Sequence, residues 1–153
     1  MVYIGIDPGK NGGIAFIKDN ISCEAFKCPE TPHEMAMLVK EKINKVKIVS
    51  ASIERVHSMP RDGVASSFSF GTNYGMWLGI LAANKIPFKQ ITPFKWQKYY
   101  GAMPKEKKSR KHKLKSLAFE LYPGAKNTLA TSDAVLIANY GLALTHHGPG
   151  SKR

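Results

Sequence analysis

Two hydrophobic periods, one of two residues and one of three to four, divide the chain into predicted strands and helices. Ile4 and Ile6 lie on one face of the first apolar segment, and the turn-rich stretch 8–13 ends it. Asp19 and Asn20 separate the next two apolar segments and suit a hairpin turn. The five strands predicted in this way span residues 2–7, 14–17, 21–26, 47–54 and 88–91.

Helical spacing and helix-start signals account for most of the remaining sequence. Thr31 and Glu34 have the spacing of a capping box, and Pro32 takes the first helical position. Trp77 and Leu81 recur at helical spacing within a longer segment. The five helices predicted from these signals span residues 32–43, 66–84, 93–100, 107–122 and 132–144.

The order of these elements indicates a single α/β domain. Three strands come first, and helices then alternate with the last two strands, which is typical of a mixed sheet covered by helices. We expect about five strands with helices on both faces over residues 1–145, followed by a flexible basic tail at 146–153. Other α/β folds share this order, so the pattern alone leaves them open.

Length and composition limit the function classes. The 153 residues are 43% hydrophobic, as in an ordinary globular domain, and no apolar run approaches the roughly 20 residues of a membrane span. No basic segment precedes an apolar stretch at the N-terminus, so we expect a cytoplasmic protein. Cys23 and Cys28 have no second pair of ligands, which favours free, buried thiols over structural zinc.

Net charge is the first functional signal. Lysine and arginine number 23 against 11 acidic residues, a formal charge of +12. A surface of this kind attracts polyanions, of which nucleic acid is the commonest, although a merely soluble basic protein would look the same. The densest basic segment, 105–115, is compatible with phosphate contacts or with a solvated helix face.

Three carboxylates occupy positions that suggest chemistry. Asp7 and Glu54 close two apolar strands, and Asp133 lies in the first turn of the last predicted helix. Each has a simpler interpretation, as a turn residue, an ion-pair partner or a helix cap. If the first and fourth strands are neighbours, Asp7 and Glu54 converge, and Asp133 can complete a set of oxygen ligands suited to Mg²⁺ or Mn²⁺.

The motifs around these carboxylates resemble those of the RuvC-type Holliday-junction resolvases, which have a ribonuclease-H-like fold. The segment 4–9 (IGIDPG) is similar to the opening motif of that family, and Ile53-Glu54 before a loop and a long helix is similar to the second. The segment 132–138 (SDAVLIA) resembles the C-terminal motif. All three occur in order over nearly the whole chain. The short chain and its Ser-Met-Pro loop are most similar to phage-encoded members, whose compartment is the host cytoplasm.

The resemblance implies a function in DNA recombination and repair. It implies an endonuclease that nicks four-way and other branched DNA with two Mg²⁺ ions per active site, for which Mn²⁺ substitutes. Asp7, Glu54 and Asp133 are the implied metal ligands. The chain departs from the family at Ala130, where a fourth acidic ligand is usual; water, Asn127 or a flanking hydroxyl is left to fill that role.

The same resemblance indicates which basic residues meet DNA. Lys107 and Lys108 are the nearest matches to the lysines of the family that act in catalysis or position phosphate, and we assign Lys107 to the catalytic set. His57 takes the place of an aromatic residue that stacks on bases at the junction centre. The expected DNA-binding residues are Lys10, His57, Arg61, Lys95, Lys98, Lys105, Lys107, Lys108, Arg110, Lys111 and Lys113.

Gly71, Gly75 and Gly79 recur every four residues along the second predicted helix. Each costs about 1 kcal/mol relative to alanine inside a helix, so close packing on this stripe would have to compensate. The stripe can pack against the sheet or form a dimer interface, and the resemblance implies a two-fold homodimer that matches the symmetry of a four-way junction. Phe68 and Phe70, near the start of this helix, are expected in the core or in an interface.

Three other functions share parts of this pattern. A ribonuclease-H-like nuclease acting on hybrids or forks would carry the same carboxylates. An actin-like ATPase or sugar kinase also has an aspartate and glycines after its first strand, but needs two domains to enclose nucleotide. A non-catalytic junction-binding protein would retain the fold without the full chemistry, and Ala130 favours that alternative.

Overall fold

The computed structural model describes residues 1–47, 49–56 and 63–147, and these residues form ten elements. The strands are β1 (Val2–Asp7), β2 (Gly13–Lys18), β3 (Ser22–Lys27), β4 (Val49–Glu54) and β5 (Phe88–Ile91). The helices are α1 (Pro32–Ile43), α2 (Val64–Ala83), α3 (Pro93–Tyr99), α4 (Lys107–Leu121) and α5 (Ser132–His147). Every predicted element is present, with ends that differ by up to three residues.

Local signals explain several of these ends. Thr31 caps α1 through a reciprocal capping box with Glu34, and Pro32 is its first residue. Asp19 and Asn20 both have positive φ, as the central residues of the β-turn 18–21 between β2 and β3 require. Helix α5 continues to His147, so the first two residues of the expected tail are helical. The rest of that tail lies outside the described residues.

The five strands form one mixed sheet in the order β3-β2-β1-β4-β5. β1 is antiparallel to β2 and parallel to β4, while β4 is parallel to β5. Two separate hydrophobic clusters cover the faces of the sheet. One contains buried residues of α3, α4 and α5, such as Trp96, Leu114 and Leu136, and the other contains Met35 of α1 and Trp77 of α2. The expected mixed sheet with helices on both faces is confirmed.

Helix α5 lies unusually close to the centre of the sheet. A Cβ atom on Gly5 of β1 would stand 2.2 Å from the carbonyl oxygen of Ala134, and one on Gly141 would stand 2.2 Å from Oγ of Ser52. Both distances are far below van der Waals contact, so only glycine permits this approach. The close contact fixes the N-terminal turn of α5 over β1.

For two features of α2, the structure excludes one of the alternatives that the sequence left open. Phe68 is 77% exposed, which excludes the core and leaves an interface, whereas Phe70 is 37% exposed and its ring lies against Gly9. A Cβ on Gly71, Gly75 or Gly79 would meet no atom within 4 Å. The glycine stripe therefore does not pack against the sheet, because the buried face of α2 is the one that carries Trp77 and Leu81.

Two smaller expectations can also be compared with the structure. Cys23 and Cys28 are free and buried, as predicted. None of the described helices is long and apolar enough to cross a membrane.

Candidate active site

The register of the sheet brings Asp7 and Glu54 side by side. Ile6 of β1 is paired with Ile53 of β4 in a parallel ladder, so the next residue on each strand is one of these carboxylates. Parallel neighbours end at the same edge of a sheet, and both side chains lie at the carboxyl ends of their strands. Glu54 is also paired with Ile91, the last residue of β5.

The N-terminal turn of α5 adds the third carboxylate. Asp7 is paired with Gly13, and a Cβ on Gly13 would lie 2.7 Å from the carbonyl oxygen of Ala130 and 3.3 Å from Cα of Thr131. The segment that leads into α5 therefore rests directly beside the end of β1. Asp133, in the first turn of α5, is buried.

The ionisation of these side chains shows that they share one electrostatic environment. Burial raises the pKa of Asp7 well above its usual value, and repulsion from Asp133 and Glu54 adds to this effect. Burial also raises the pKa of Glu54 to about 7. Negative charge on the cluster is therefore costly unless a cation compensates it.

Lys111 supplies one such cation. Its ammonium group forms an ion pair and hydrogen bond with Oδ2 of Asp133, linking α4 to α5. Burial alone would lower the pKa of Lys111, but attraction to the carboxylates outweighs burial and the pKa is raised. The other oxygen of Asp133, Oδ1, is buried and has no hydrogen-bond partner among the residues that the structure describes.

Glu54 has a neutral partner instead. The indole Nε1 of Trp96 donates a hydrogen bond of 2.6 Å to its Oε2. This contact lowers the pKa of Glu54 and so partly opposes the effect of burial. Trp96 is the fully buried residue of α3.

The three carboxylates are negatively charged oxygen ligands, the type that a hard divalent cation prefers. They influence one another electrostatically, and Oδ1 of Asp133 is buried without a hydrogen-bond partner in the described part of the chain. Within the described ranges, no three His, Cys, Asp or Glu side chains are close enough to form a metal cluster as they stand. Binding therefore requires side-chain movement toward the cation, with Oδ1 of Asp133 already available.

The segment around Ala130 provides no fourth carboxylate, and its hydroxyl groups are engaged within the loop. Oγ of Ser132 donates to the carbonyl of Thr128, and Oγ1 of Thr131 donates to that of Lys126. Nδ2 of Asn127 donates to the carbonyl oxygens of Tyr122 and Ala125, at 2.7 and 3.1 Å. These bonds shape the loop before α5.

Helix α2 holds the turn that follows Asp7. Oδ1 of Asn73 accepts a 2.7 Å hydrogen bond from the backbone amide of Gly9, and its Nδ2 donates to Sγ of Cys28. Gly9 has a φ of 113°, and the ring of Phe70 lies so close that a Cβ there would stand 2.6 Å from it. The conformation after Asp7 therefore depends on α2 as well as on β1.

A groove of about 650 Å³ lies between α2 and the segment 27–30 at the end of β3, and Lys10 of this turn also lines it. Lys10 and Lys27 line it together with Phe68 and Asn73. Its position beside the turn after Asp7, with two lysines along it, suits a phosphate backbone that passes the carboxylates.

The predicted DNA-binding residues fall into four groups. Arg110 and Lys113 donate to backbone carbonyls of the segment 102–105 and so brace the loop before α4. Lys111 enters the carboxylate cluster. His57 and Arg61 lie outside the described residues. The remaining predicted residues are exposed, and they are Lys10, Lys95, Lys98, Lys105, Lys107 and Lys108.

The lysine of α4 that contacts a carboxylate of the proposed active site is thus Lys111, at Asp133, and not Lys107. Lys107 is exposed at the first residue of α4, one helical turn before Lys111, and its catalytic role stays a prediction. A sequence signal for Lys111 did exist, because it shares a helix face with the buried Leu114 and Ala118. Trp96 and Asn73 were not singled out from sequence, and no pattern before the fold was known marked them as partners of Glu54 and Gly9.

Comparison with known proteins agrees with this geometry. The sequence matches no protein-family model, and no curated protein matches it at a significant level. Among solved structures, Thermus thermophilus RuvC in complex with a Holliday junction substrate is similar with a TM-score of 0.69 and 16% identity. The similarity covers 97% of this chain and 96% of that one. This chain has a RuvC-type fold.

A second structure of Thermus thermophilus RuvC is similar with a TM-score of 0.65 and 17% identity, over 97% of both chains. The RuvC-type fold therefore extends over almost the full length described. The similarity confirms the ribonuclease-H-like arrangement that the three motifs implied.

Proposed function

We propose that this chain is a metal-dependent endonuclease that nicks branched DNA, with four-way junctions as its main substrate. The observation that carries this proposal is the meeting of Asp7, Glu54 and Asp133 at one edge of a RuvC-type sheet, where burial and mutual repulsion raise the pKa values of Asp7 and Glu54. A buried cluster of like charges weakens folding, so its retention favours a functional role. The similar structure contains RuvC with a Holliday junction substrate.

Asp7, Glu54 and Asp133 would hold the metal. Two Mg²⁺ ions, or Mn²⁺ in their place, would supply an activated water and stabilisation of the leaving oxygen in phosphodiester hydrolysis. Lys111 offsets part of the negative charge of the carboxylates, while Oδ1 of Asp133 stays available to a cation.

The positive charge of the chain is placed to bind the substrate. Exposed lysines lie at the start of α4, the helix whose Lys111 contacts Asp133, and Lys10 lies in the turn after Asp7; they would contact phosphates on either side of the cut. Such contacts release counterions, so binding should weaken steeply with salt.

A homodimer would provide the two active sites that paired nicks require. The stripe of Gly71, Gly75 and Gly79 is open in the single chain, and Val64 and Phe68 on the same helix are 88% and 77% exposed. Glycines in a helix interior are costly without close packing, and a second copy of α2 would supply it. Two-fold pairing would also match the symmetry of a four-way junction.

A second candidate is a junction-binding protein without nuclease activity. Ala130 favours it, because the position holds an acidic ligand in the family that the motifs resemble. The engagement of Asp133 by Lys111 also favours it, since a permanent ion pair would replace the metal. The three carboxylates argue against it, because they repel one another and have no evident structural role together.

Cleavage of labelled DNA separates these candidates. The protein is incubated with four-way junction, fork, linear duplex and RNA–DNA hybrid in Mg²⁺, Mn²⁺ or EDTA, beside Asp7→Asn. Paired symmetric nicks in the junction that need metal and Asp7 are the expected result. Equal cutting of forks would indicate a general branch nuclease, and preference for the hybrid would indicate a ribonuclease. Tight junction binding without a nick in either metal would contradict the proposal and favour the binding protein.

A further inference from the structure

The short connection from β5 to α3 places Trp96 against Glu54. Glu54 is paired with Ile91 at the end of β5, and α3 begins two residues later with Pro93 at its first position. Proline fixes the backbone for the first helical turn, so α3 starts at once and returns over the strand ends. Trp96 is the one buried residue of this short helix, and its neighbour Lys95 is exposed.

The indole is a well-defined donor for a carboxylate. Its N–H can only donate, and the ring is fully buried, so the direction of the 2.6 Å bond to Oε2 of Glu54 is fixed by packing. The donor is also neutral. It can therefore orient Glu54 without bringing a positive charge that would compete with a cation, unlike Lys111 at Asp133.

A second set of contacts ties Trp96 to the helix that carries Asp133. The rings of Trp96 and Tyr100 meet edge to face with centroids 6.5 Å apart. The hydroxyl of Tyr100 donates to the carbonyl of Leu136 at 2.7 Å and accepts from Nδ2 of Asn139 at 3.0 Å. Both Leu136 and Asn139 belong to α5, so α3 connects the carboxylate of β4 to the helix bearing Asp133.

We propose that Trp96 is a positioning residue that holds the Glu54 carboxylate in the orientation required to bind a divalent cation with Asp7 and Asp133. This inference rests on the proposed metal-dependent function. Without the indole N–H, the Glu54 carboxylate turns more freely, and cation binding weakens although the fold is kept.

The two tryptophans of the chain offer a matched comparison. Trp96 and Trp77 are both fully buried, but Trp77 packs in the cluster on the other face of the sheet. Trp96→Phe and Trp77→Phe both keep an aromatic ring and leave a similar small void, and thermal unfolding checks that each variant remains folded. Only Trp96→Phe removes the donor to Glu54. Titration calorimetry with Mn²⁺ alone then measures cation binding without any cleavage reaction.

We expect Trp77→Phe to bind Mn²⁺ as the unmodified protein does, and Trp96→Phe to bind it about tenfold more weakly, the effect of losing a hydrogen bond to a charged group. Equal Mn²⁺ affinity in both variants would overturn the role of Trp96 and leave the proposed function intact. Mn²⁺ binding that is absent in the unmodified protein, or unaffected by Asp7→Asn, would overturn both.

A second measurement applies if Trp96→Phe does not fold. The Trp77→Phe protein has a single indole N–H, and its ¹H–¹⁵N resonance reports the bond to Glu54 directly. We expect this resonance to move upfield in Trp77→Phe/Glu54→Gln and to shift when Mg²⁺ is added. A resonance that responds to neither change would overturn the inference.

Discussion

Lys111 and Asp133 form an ion pair that joins α4 to α5 at the border of the carboxylate cluster. The aspartate is buried, whereas the lysine is about one-third exposed, so the pair is screened on one side only. Asp7 and Glu54 also attract the ammonium group of Lys111, and both raise its pKa. A single side chain thus offsets part of the charge of all three carboxylates.

Lys111→Ala should therefore weaken the metal-free fold and strengthen its response to metal. Removal of the ammonium leaves Asp133 uncompensated, which we expect to cost about 1–2 kcal/mol after allowance for the exposure of the lysine. Thermal unfolding in EDTA and in Mg²⁺ measures both effects. Lys108→Ala is the control, since Lys108 is exposed on the same helix. If the two variants unfold at the same temperature in EDTA, the ion pair is unimportant.

Glu54→Gln should stabilise the metal-free protein at high pH. The folded-state pKa of Glu54 is raised to about 7, so the folded protein holds this proton more tightly than the unfolded chain does. Unfolding free energy therefore falls as pH rises from about 4.5 to about 7, by at most about 3 kcal/mol from this residue. In EDTA, the melting temperature of Glu54→Gln minus that of the unmodified protein should grow between pH 5 and pH 8. A difference in melting temperature that stays constant over this pH range would contradict the raised pKa of Glu54.

Gly9→Ala should destabilise the turn after Asp7. Gly9 has a φ of 113°, and the new Cβ would stand 2.6 Å from the ring of Phe70. The strained backbone and the clash together should cost about 2 kcal/mol, although the ring can shift to relieve part of the clash. Chemical denaturation measures this cost, and the double variant Gly9→Ala/Phe70→Ala separates clash from backbone strain. A double variant no more stable than Gly9→Ala would assign the whole effect to the backbone.

Gly75→Ala should stabilise the single chain and weaken the association of the dimer. A Cβ there meets nothing within 4 Å, so alanine should stabilise α2 itself by up to about 1 kcal/mol. If a second copy packs on the stripe, the added methyl group should also loosen the dimer. Sedimentation over a concentration series measures the association constant, and Gly124→Ala, at another glycine with open space, serves as control. Unchanged association would count against the stripe as the interface.

The strand ends could be predicted because local signals determine them, whereas the choice among α/β folds came from the resemblance of the three motifs. Alternation and turn residues mark the end of β1 at Asp7, and the parallel pairing that brings Glu54 beside it follows from the strand order. The partners of these residues depend instead on how distant segments pack. The indole of Trp96 reaches Glu54 across 42 residues, and Asn73 reaches Gly9 across 64. Likewise, helical spacing does not distinguish a core phenylalanine from an exposed one, as Phe68 shows.

Ala130→Asp tests whether the cluster is short of one ligand. The carbonyl of Ala130 lies against Gly13, which is paired with Asp7, so a carboxylate at this position would enter the same environment. More negative charge there should lower the melting temperature in EDTA and increase the stabilisation that Mg²⁺ provides. Ala130→Asn is nearly equal in size without the charge, and it should show neither effect. If Ala130→Asp leaves the Mg²⁺-induced shift unchanged, the position does not face the cation, and three carboxylates form the complete acidic set.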